Sequence, residues 1–424
     1  MELLVILLGE FIFFPMITAF VATMNLAFTL LLSLVEFFIS VVIPNPKIVE
    51  KEKSSLGTKL SLKNFAKITG SFFLVIILVL FTVNIFFFTP TMKWIVGQIS
   101  QSTNIKIVFD SVNGNFLTGL IRFNGLHVTR NNSDKSDFNI KVDNIVVDVD
   151  VYSLILKPII IEKLIVSGVK GMAQSTAPID KDKRVSLPDE GKVIKAKTEF
   201  IVQNLSIKNV DVRVSKLGNK PLNLVLDSIE AKPFRSRYAI FDIFFRSNID
   251  GSLDGHKIII KSREEGNGRV TKWHLDHFPV DIVNQYIQKA PINWFSRGVI
   301  DIQVEDKWEY GENAQINMDW NLKLLDVFIE APEGASIMSK TLSLPIIKYI
   351  NNKNGDIDVN FGLKMNESQF ESTSSLDAAG LWHSVVSSFS KKLAFITGRK
   401  ADDTKKGIKS KVDSFKSFLN EKRK

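Results

Sequence analysis

Two hydrophobic patterns divide the chain: unbroken apolar runs near its start, then long stretches in which apolar and polar residues alternate. Residues 3–43 are almost wholly apolar, and residues 68–89 contain no charged side chain. A membrane-spanning helix needs about 20 apolar residues. Residues 68–89 therefore predict one transmembrane helix. Residues 3–43 predict a helical hairpin of two short spans, with a single long helix lying partly in the membrane interface as the alternative.

The loop between these segments, residues 44–67, carries six lysines against two glutamates. Basic loops of membrane proteins stay on the cytoplasmic side. We therefore expect this loop in the cytoplasm and everything after residue 90 on the far side of the membrane. The first residues lack the basic start of a secretion signal, so we expect them to remain as an anchor.

Alternation with a period of two dominates residues 105–366 and predicts β-strands with one apolar and one polar face. The clearest apolar series are Ile145, Val147, Val149 and Val151; Ile300, Ile302 and Val304; Ile316, Met318, Trp320 and Leu322; and Ile357, Val359, Phe361 and Leu363. Shorter apolar pairs such as Ile159 and Ile161 follow the same pattern. The alternation changes phase between Ile207 and Val210, which predicts a bulge near Asn209.

Turn sequences such as "LGNKP", "DGSLDG" and "NKNG" separate the strands, of which we expect about ten to twelve. The few helical patterns lie chiefly in residues 278–289 and near residues 376–396, and the polar segment 173–197 predicts a loop. The predicted fold is membrane-anchored and mostly β: transmembrane helices, then a twisted antiparallel β-sheet forming a taco-like groove, with a few helices and a C-terminal helix. Its predicted divisions are a membrane segment (1–43), a basic loop (44–67), a transmembrane helix (68–89), a groove domain (90–375) and a basic tail (376–424).

One-sided strands leave an apolar face that must be covered. Ten strands about 4.8 Å apart and about 20 Å long present roughly 1,000 Å² of such surface, more than a soluble protein usually exposes. A second sheet in a sandwich and a bound lipid are both possible covers. If lipid is the cover, the lining residues are Ile145, Val147, Val149, Val151, Ile159, Ile161, Ile300, Ile302, Val304, Ile316, Met318, Trp320, Leu322, Ile357, Val359, Phe361 and Leu363. Asp148 and Asp150 would then face water.

The charge and composition of the chain indicate which kinds of partner it can bind. The formal net charge is +9, and much of the excess lies beside the apolar segments and in the last 34 residues. This distribution favours an anionic membrane surface over nucleic acid. The tail places Ile408, Val412, Phe415 and Leu419 at helical spacing among lysines, which fits either a membrane-binding amphipathic helix or a solvated basic tail. The chain has no cysteine, which excludes disulfides and thiolate metal sites.

The most enzyme-like sequence is "WHLDHFPVD", with His274, Asp276, His277 and Asp281. In a regular strand His274 and Asp276 point to one side and His277 to the other, so they form a metal or catalytic site only if the chain turns at His277. The favoured interpretation is a set of polar residues on the wet face of the sheet. The sequence lacks a Gly-x-Ser-x-Gly motif and a P-loop, and we expect no enzymatic activity, metal or cofactor.

Four segments carry a resemblance to a known family: "FDSVNGNFLTGLIRFNGLHV" (109–128), "VDVDVYSLILKPIIIEKLIVSGVKG" (147–171), "LDHFPVDIVNQYI" (275–287) and "SRGVIDIQV" (296–304). They resemble AsmA-like proteins of bacterial envelopes, a group with TamB-like and YhdP-like members. The resemblance covers roughly residues 67–380. It implies a taco-like sheet whose apolar groove takes up acyl chains, related to chorein-type lipid transfer proteins. The chain departs from the family in its extra apolar stretch before the anchor and in its short length.

The resemblance implies a protein of the bacterial inner membrane with its large domain in the periplasm. Its expected role is binding and transporting phospholipid for cell-envelope and outer-membrane biogenesis, with other envelope proteins or a second copy as further partners. The alternative is a scaffold that organises envelope membrane proteins without carrying lipid. A trough of ten to twelve strands would be only about 50–60 Å long, so we expect action close to the membrane, with lipid entering near residues 105–130.

Overall fold

The computed structural model describes most of residues 105–396. Its gaps are 116–117, 131–135, 155–157, 176–198, 217–219, 287–293, 312–313, 335–343 and further short ones between 332 and 378. It also describes residues 33 and 70–71 and most of residues 88–100. The predicted membrane segments 3–43 and 68–89, apart from residues 33, 70–71 and 88–89, lie outside the described residues, as do the loop 44–67 and the tail beyond 396. Within the described part, no helix combines the length and apolar character needed to cross a bilayer.

The described residues form one open, twisted sheet of fourteen strands. The strands are β1 (Lys106–Val108), β2 (Ser111–Asn115), β3 (Leu120–Arg130), β4 (Ser136–Val149), β5 (Ile159–Ser175), β6 (Phe200–Lys216), β7 (Leu222–Ala231), β8 (Phe234–Arg235), β9 (Ser247–Leu253), β10 (His256–Glu265), β11 (Gly268–Pro279), β12 (Phe295–Glu309), β13 (Gln315–Ile329) and β14 (Ile357–Asn366). The spatial order is β1-β3-β4-β5-β6-β7-β9-β10-β11-β12-β13-β14, with β2 paired to β3 and β8 paired to β6.

The sheet is mixed, which corrects the predicted antiparallel arrangement. Strands β5 and β6 run parallel, with Leu164 opposite Leu205 and Val166 opposite Ile207, whereas the other pairs in the described sheet are antiparallel. A parallel pair needs a connection of about a dozen residues or more, and residues 176–199 supply it. Residues 173–175 of the predicted loop 173–197 belong instead to β5, which continues to Ser175. The rest of that predicted loop lies outside the described residues.

Three helices with complete bounds among the described residues accompany the sheet: α1 (Ala239–Phe245), α2 (Val280–Tyr286) and α3 (Leu381–Ile396). Further helical residues lie at 88–94, 96–98 and 347–352. Helices α2 and α3 fall within the two predicted helical segments. Helix α1 was not predicted, because its sequence "AIFDIFF" is apolar nearly throughout and shows no helical period. The 3-10 turns are Val151–Leu154, Ser236–Tyr238 and Glu367–Phe370.

A row of bulges crosses the sheet from β3 to β6. Gly125, Gly168 and Asn209 have positive φ angles of 62°, 70° and 55°, and in β5 and β6 the pairing skips from Ser167 and Lys208 to Val169 and Val210. The bulge predicted near Asn209 is confirmed. A single extra residue in one strand alone would move the apolar side chains that follow it to the other face of the sheet. Because neighbouring strands shift at the same level, the apolar side chains stay on one face.

Candidate functional site

The candidate site is the apolar face that runs across the whole sheet. Cross-strand partners on this face are apolar from one strand to the next, as in the row Phe123, Ile145 and Val166 in β3–β5 and the row Leu322 and Val359 in β13–β14. Nearly all of these side chains belong to one hydrophobic cluster. An open sheet with such a face is compatible with lipid binding.

Strands β3–β7 form what we call the closed half. On the apolar face its apolar side chains, from Ile121 in β3 to Ala231 in β7, are no more than 7 % exposed, except Val214, which is half-buried. Met172 and Val225, on the opposite face, are exposed. Phe88, Met92 and Val96, in the chain before β1, are buried in the same cluster. The closed half has the packing of an ordinary protein core.

Strands β9–β14 form the open half, in which several apolar side chains remain partly exposed. Ile258, Leu275 and Ile302 are direct neighbours on β10, β11 and β12, and all three are half-buried. Phe361 and Leu363 on β14 are half-buried as well. These residues leave apolar surface that a ligand can reach.

The predicted lining residues lie on this one continuous face. Thirteen are buried: Ile145, Val147, Val149, Ile159, Ile161, Ile300, Val304, Ile316, Met318, Trp320, Leu322, Ile357 and Val359. Four are half-buried: Val151, Ile302, Phe361 and Leu363. Val151 is not in a strand as predicted, because β4 ends at Val149 and Val151 begins a 3-10 turn. Contact of these residues with lipid stays a prediction.

Helix α1 covers part of the open half with aromatic rings. The ring of Phe241 lies 5.2 Å from Trp308, and the ring of Phe245 lies 5.2 Å from Trp273, measured between centroids. Trp273 in turn contacts Trp320 at 6.0 Å, and Trp320 stacks on Phe361. Because α1 is inserted between β7 and β9, it lies where the two halves meet.

A buried ion network fixes α1 to the end of the sheet. Arg235 Nη2 lies 2.7 Å from Asp242 Oδ1 and 2.7 Å from Glu367 Oε1. Asp242 is fully buried, and burial raises its pKa although Arg235 opposes the shift. Arg235 and Glu367 are 132 positions apart, so the network joins the segment before α1 to the turn after β14.

Several buried polar residues interrupt the apolar face, among them Ser247, Arg269, Thr271 and Asp306. The Thr271 hydroxyl donates to the Phe245 carbonyl oxygen at 2.6 Å and so supports the end of α1. Among the described residues neither carboxyl oxygen of Asp306 has a hydrogen bond of ordinary geometry, although the nearby Thr271 and Trp273 side chains favour its charged form. Sequence reasoning missed Asp306, although a signal was present: it takes the apolar place between Val304 and Trp308 in the alternation of β12.

The histidine cluster is on the rim of the sheet. A bulge between Leu275 and Phe278 gives His277 a φ of 49° and brings Asp276, His277 and Asp301 together. The His277 backbone N–H donates to Asp301 Oδ1 at 2.7 Å, and the His277 ring nitrogen Nδ1 lies 3.3 Å from the same oxygen. The chain therefore does turn at His277, and the hydrogen bond to Asp301 stabilises this turn. Asp281 lies apart from this group, in the first turn of α2.

The described residues therefore belong to a protein with a large open β-sheet and one continuous apolar face. Part of this sheet also resembles a known protein family. The profile of the MDM31/MDM32 family, described as yeast mitochondrial distribution and morphology (MDM) proteins, matches residues 127–307. This match spans the end of β3, β4–β11 and most of β12, a little over two fifths of the chain. No curated protein matches the chain at a significant level.

The match contradicts the assignment to AsmA-like bacterial envelope proteins. The expected bacterial inner membrane, the periplasmic location and the role in outer-membrane biogenesis are wrong with it. The segments behind that assignment consist mainly of alternating residues and glycines, a pattern that any long one-sided sheet produces. They therefore indicated the sheet correctly and could not identify the lineage.

Proposed function

We propose that the protein binds lipid on the open half of its sheet and transfers it at a mitochondrial membrane, without catalysing a reaction. The observation that carries this proposal is the line of half-buried apolar side chains on β10–β12, Ile258, Leu275 and Ile302, beside an otherwise buried apolar face. Burial of each acyl CH₂ group is favourable by about 0.8 kcal/mol. A chain segment of ten carbons on this surface would supply roughly 8 kcal/mol.

The mitochondrial location rests on the family match over residues 127–307, whose description names mitochondrial proteins. The apolar segments 3–43 and 68–89 would anchor the chain in that membrane. The sheet is then attached directly to a source of lipid. About twelve strands along the trough, each about 4.8 Å wide, give a length near 58 Å, so transfer would take place close to the membrane or through a partner or second copy.

The second candidate function is a scaffold that organises partner proteins at the membrane. The closed half favours it, because a fully packed apolar face leaves no room for an acyl chain. The two functions make different demands on the open half: a lipid-binding protein needs its apolar surface, and a scaffold does not.

Photo-crosslinking of the full-length protein tests the proposal. A phospholipid with a diazirine in its acyl chain is added in mixed micelles, and the adducts are mapped by mass spectrometry. We expect adducts on β10–β14, near Leu275, Ile302 and Leu363. This departs from the sequence-based expectation that lipid enters near residues 105–130, because the apolar side chains of β3 and β4 are buried.

Two neighbouring substitutions on β14 provide the matched comparison. Phe361→Arg places a charge on the apolar face and should reduce crosslinking several-fold, whereas Asn360→Arg places the same charge on the exposed face and should not. Absence of adducts from the wild-type sheet, or equal crosslinking of both variants, would contradict lipid binding and favour the scaffold.

A further inference from the structure

The bulge in β11, on the rim of the open half, brings three metal-ligating side chains together. The register of β11 against β12 shifts between Leu275 and Phe278. Two residues of β11, Asp276 and His277, therefore share one partner position in β12, which Asp301 occupies. In a regular strand two successive side chains would point to opposite faces. At the bulge the three residues each place one ligand atom within 4.8 Å of the other two.

The separations within this group suit a small tetrahedral cation. His277 Nδ1 lies 3.3 Å from Asp301 Oδ1, which is slightly longer than an ordinary hydrogen bond between nitrogen and oxygen. Two ligands of a tetrahedral Zn²⁺ ion, each bonded at about 2.0–2.1 Å, stand about 3.3–3.4 Å apart. One pair of ligand atoms therefore already has the required separation. Asp276 is half-buried, and rotation of its side chain can bring its carboxylate to the same ion.

Both carboxylates are held by hydrogen-bonding groups, as metal-binding carboxylates usually are. His274 Nε2 lies 2.6 Å from Asp276 Oδ1, and the His277 backbone N–H donates to Asp301 Oδ1 at 2.7 Å. A carboxylate oxygen that accepts one hydrogen bond keeps a further lone pair for a metal ion. The side chain of His277 is 67 % exposed, so an ion can reach the group from solvent.

The ligand atoms, one imidazole nitrogen and two carboxylate oxygens, distinguish among divalent cations. Imidazole suits Zn²⁺, whereas Mg²⁺ and Ca²⁺ take oxygen ligands in larger numbers. Zinc sites that combine histidine with carboxylate ligands and keep a fourth position open to water are well established in proteins. The ligand set and its geometry therefore both favour zinc.

We propose that Asp276, His277 and Asp301 bind one Zn²⁺ ion, which joins β11 to β12 immediately before α2. His274 is a positioning residue, because it contacts Asp276 and not the ion. The proposal goes beyond lipid binding and does not depend on it. It departs from the sequence-based expectation of no metal, because that expectation assumed a regular strand at His277, whereas the chain turns there.

Zinc titration of the full-length protein in detergent micelles tests the proposal. The protein is first treated with a chelator and is then titrated with Zn²⁺ against a chromophoric zinc chelator, in excess Mg²⁺. We expect one Zn²⁺ per chain and a higher melting temperature when zinc is bound. The chain has no cysteine, so no thiolate site competes for the ion. X-ray absorption at the zinc edge should show nitrogen and oxygen ligands at about 2.0–2.1 Å.

Three substitutions of histidine locate the site. His277→Asn removes the imidazole and keeps a residue that tolerates the positive φ, and it should weaken zinc binding by more than about 100-fold. His274→Ala should weaken it by about 10–100-fold, the usual effect of losing a group that orients a ligand. The control is His127→Ala, because His127 Nε2 lies 2.7 Å from the amide oxygen of Asn139 and contributes nothing to the group; its zinc affinity should match that of the wild type.

Each outcome supports or overturns the site. Absence of stoichiometric zinc binding in the wild type, or displacement of the zinc by Mg²⁺, would overturn the proposal. Equal binding by wild type and His277→Asn would place the ion elsewhere and would also overturn it. If His277→Asn failed to fold, Asp301→Asn would give the same test, since its amide oxygen still accepts from the His277 N–H; undiminished zinc binding by that variant would contradict the site.

Discussion

The closed half, β3–β7, and the open half, β9–β14, are built on the same alternation of apolar and polar residues, yet they present different surfaces. The apolar face of the closed half is lined mainly by valine, isoleucine and leucine, and these side chains are buried except Val214. The open half is lined by large rings, including Trp273, Trp308, Trp320 and Phe361, and it keeps apolar side chains partly exposed. Branched aliphatic side chains can fill a protein interior closely. Large aromatic rings leave ring edges and polar atoms that can contact a partner. One continuous apolar face is therefore fully packed in one half and partly exposed in the other.

The largest expected difference between the halves concerns a buried charge. Ile161 is fully buried in the closed half and Leu363 is half-buried in the open half. Ile161→Arg should abolish cooperative folding, because an unpaired buried charge destabilises by several kcal/mol, whereas Leu363→Arg should fold. Thermal unfolding followed by circular dichroism measures both. Similar melting temperatures would show that the two halves do not differ as described.

The ion network that joins the halves gives the next effect. Asp242→Ala leaves the Arg235 and Arg246 guanidinium groups without their buried partner and should lower the free energy of unfolding by about 3–5 kcal/mol. Arg237→Ala removes the exposed pair with Glu371 and should cost less than about 1 kcal/mol. Chemical denaturation measures the two values. A small effect of Asp242→Ala would mean that α1 is held by its aromatic contacts alone.

Truncation of leucines compares the packing of the two halves directly. Leu164→Ala in the closed half removes a buried side chain and should destabilise by about 2–5 kcal/mol. Leu275→Ala in the open half removes a half-buried one and should destabilise by about 1–2 kcal/mol. Added phospholipid should raise the melting temperature of the wild type more than that of the Leu275 variant. If both variants lost the same stability without lipid, the open half would be as tightly packed as the closed half.

The smallest effect is a change with pH at Asp306. Its pKa in the folded state lies above the model-compound value of 3.8, so the folded protein holds this proton more tightly than the unfolded chain. The free energy of unfolding therefore falls as the pH rises from 3.8 through the folded-state pKa. Asp306→Asn cannot ionise, so its stability relative to wild type should increase over that range. Melting temperatures of the two proteins at matched pH values test this, since contributions from other groups cancel; a constant difference would be contrary to the expectation.

The sequence allowed a large part of the fold to be predicted, because the period of two is set by the faces of the sheet itself. It indicated the strands on either side of the bulge at Asn209 and the positions of α2 and α3. It could not indicate the parallel pairing of β5 and β6, since a strand buried on one face has the same pattern whichever way its neighbour runs. Helix α1 is too short to show a period, and the contact between Arg235 and Glu367 depends on how the whole sheet curves.

The candidate site could be predicted from the sequence only in part. The lining residues follow from alternation, and their common face follows from register. Their division into buried and partly exposed members does not, because it depends on which rings α1 places over them. Asp306 could have been recognised from the sequence, because it is the one charged residue in the apolar series of β12. A buried charge at such a position destabilises the fold unless it is paired or has a function. The likeness to the MDM31/MDM32 family could not be predicted from these motifs, because alternation and glycines are features of any long one-sided sheet.

The contact between Arg235 and Glu367 has a consequence for the order in which the chain folds. Most strands pair with their neighbours in the sequence, so the sheet can grow by short steps that each close a small loop. The contact between these two residues closes a loop of 132 positions, and the entropy needed to close a loop rises with its length. We therefore expect the strands to assemble first and this contact to form among the last, with a folding rate limited by distant contacts rather than local ones.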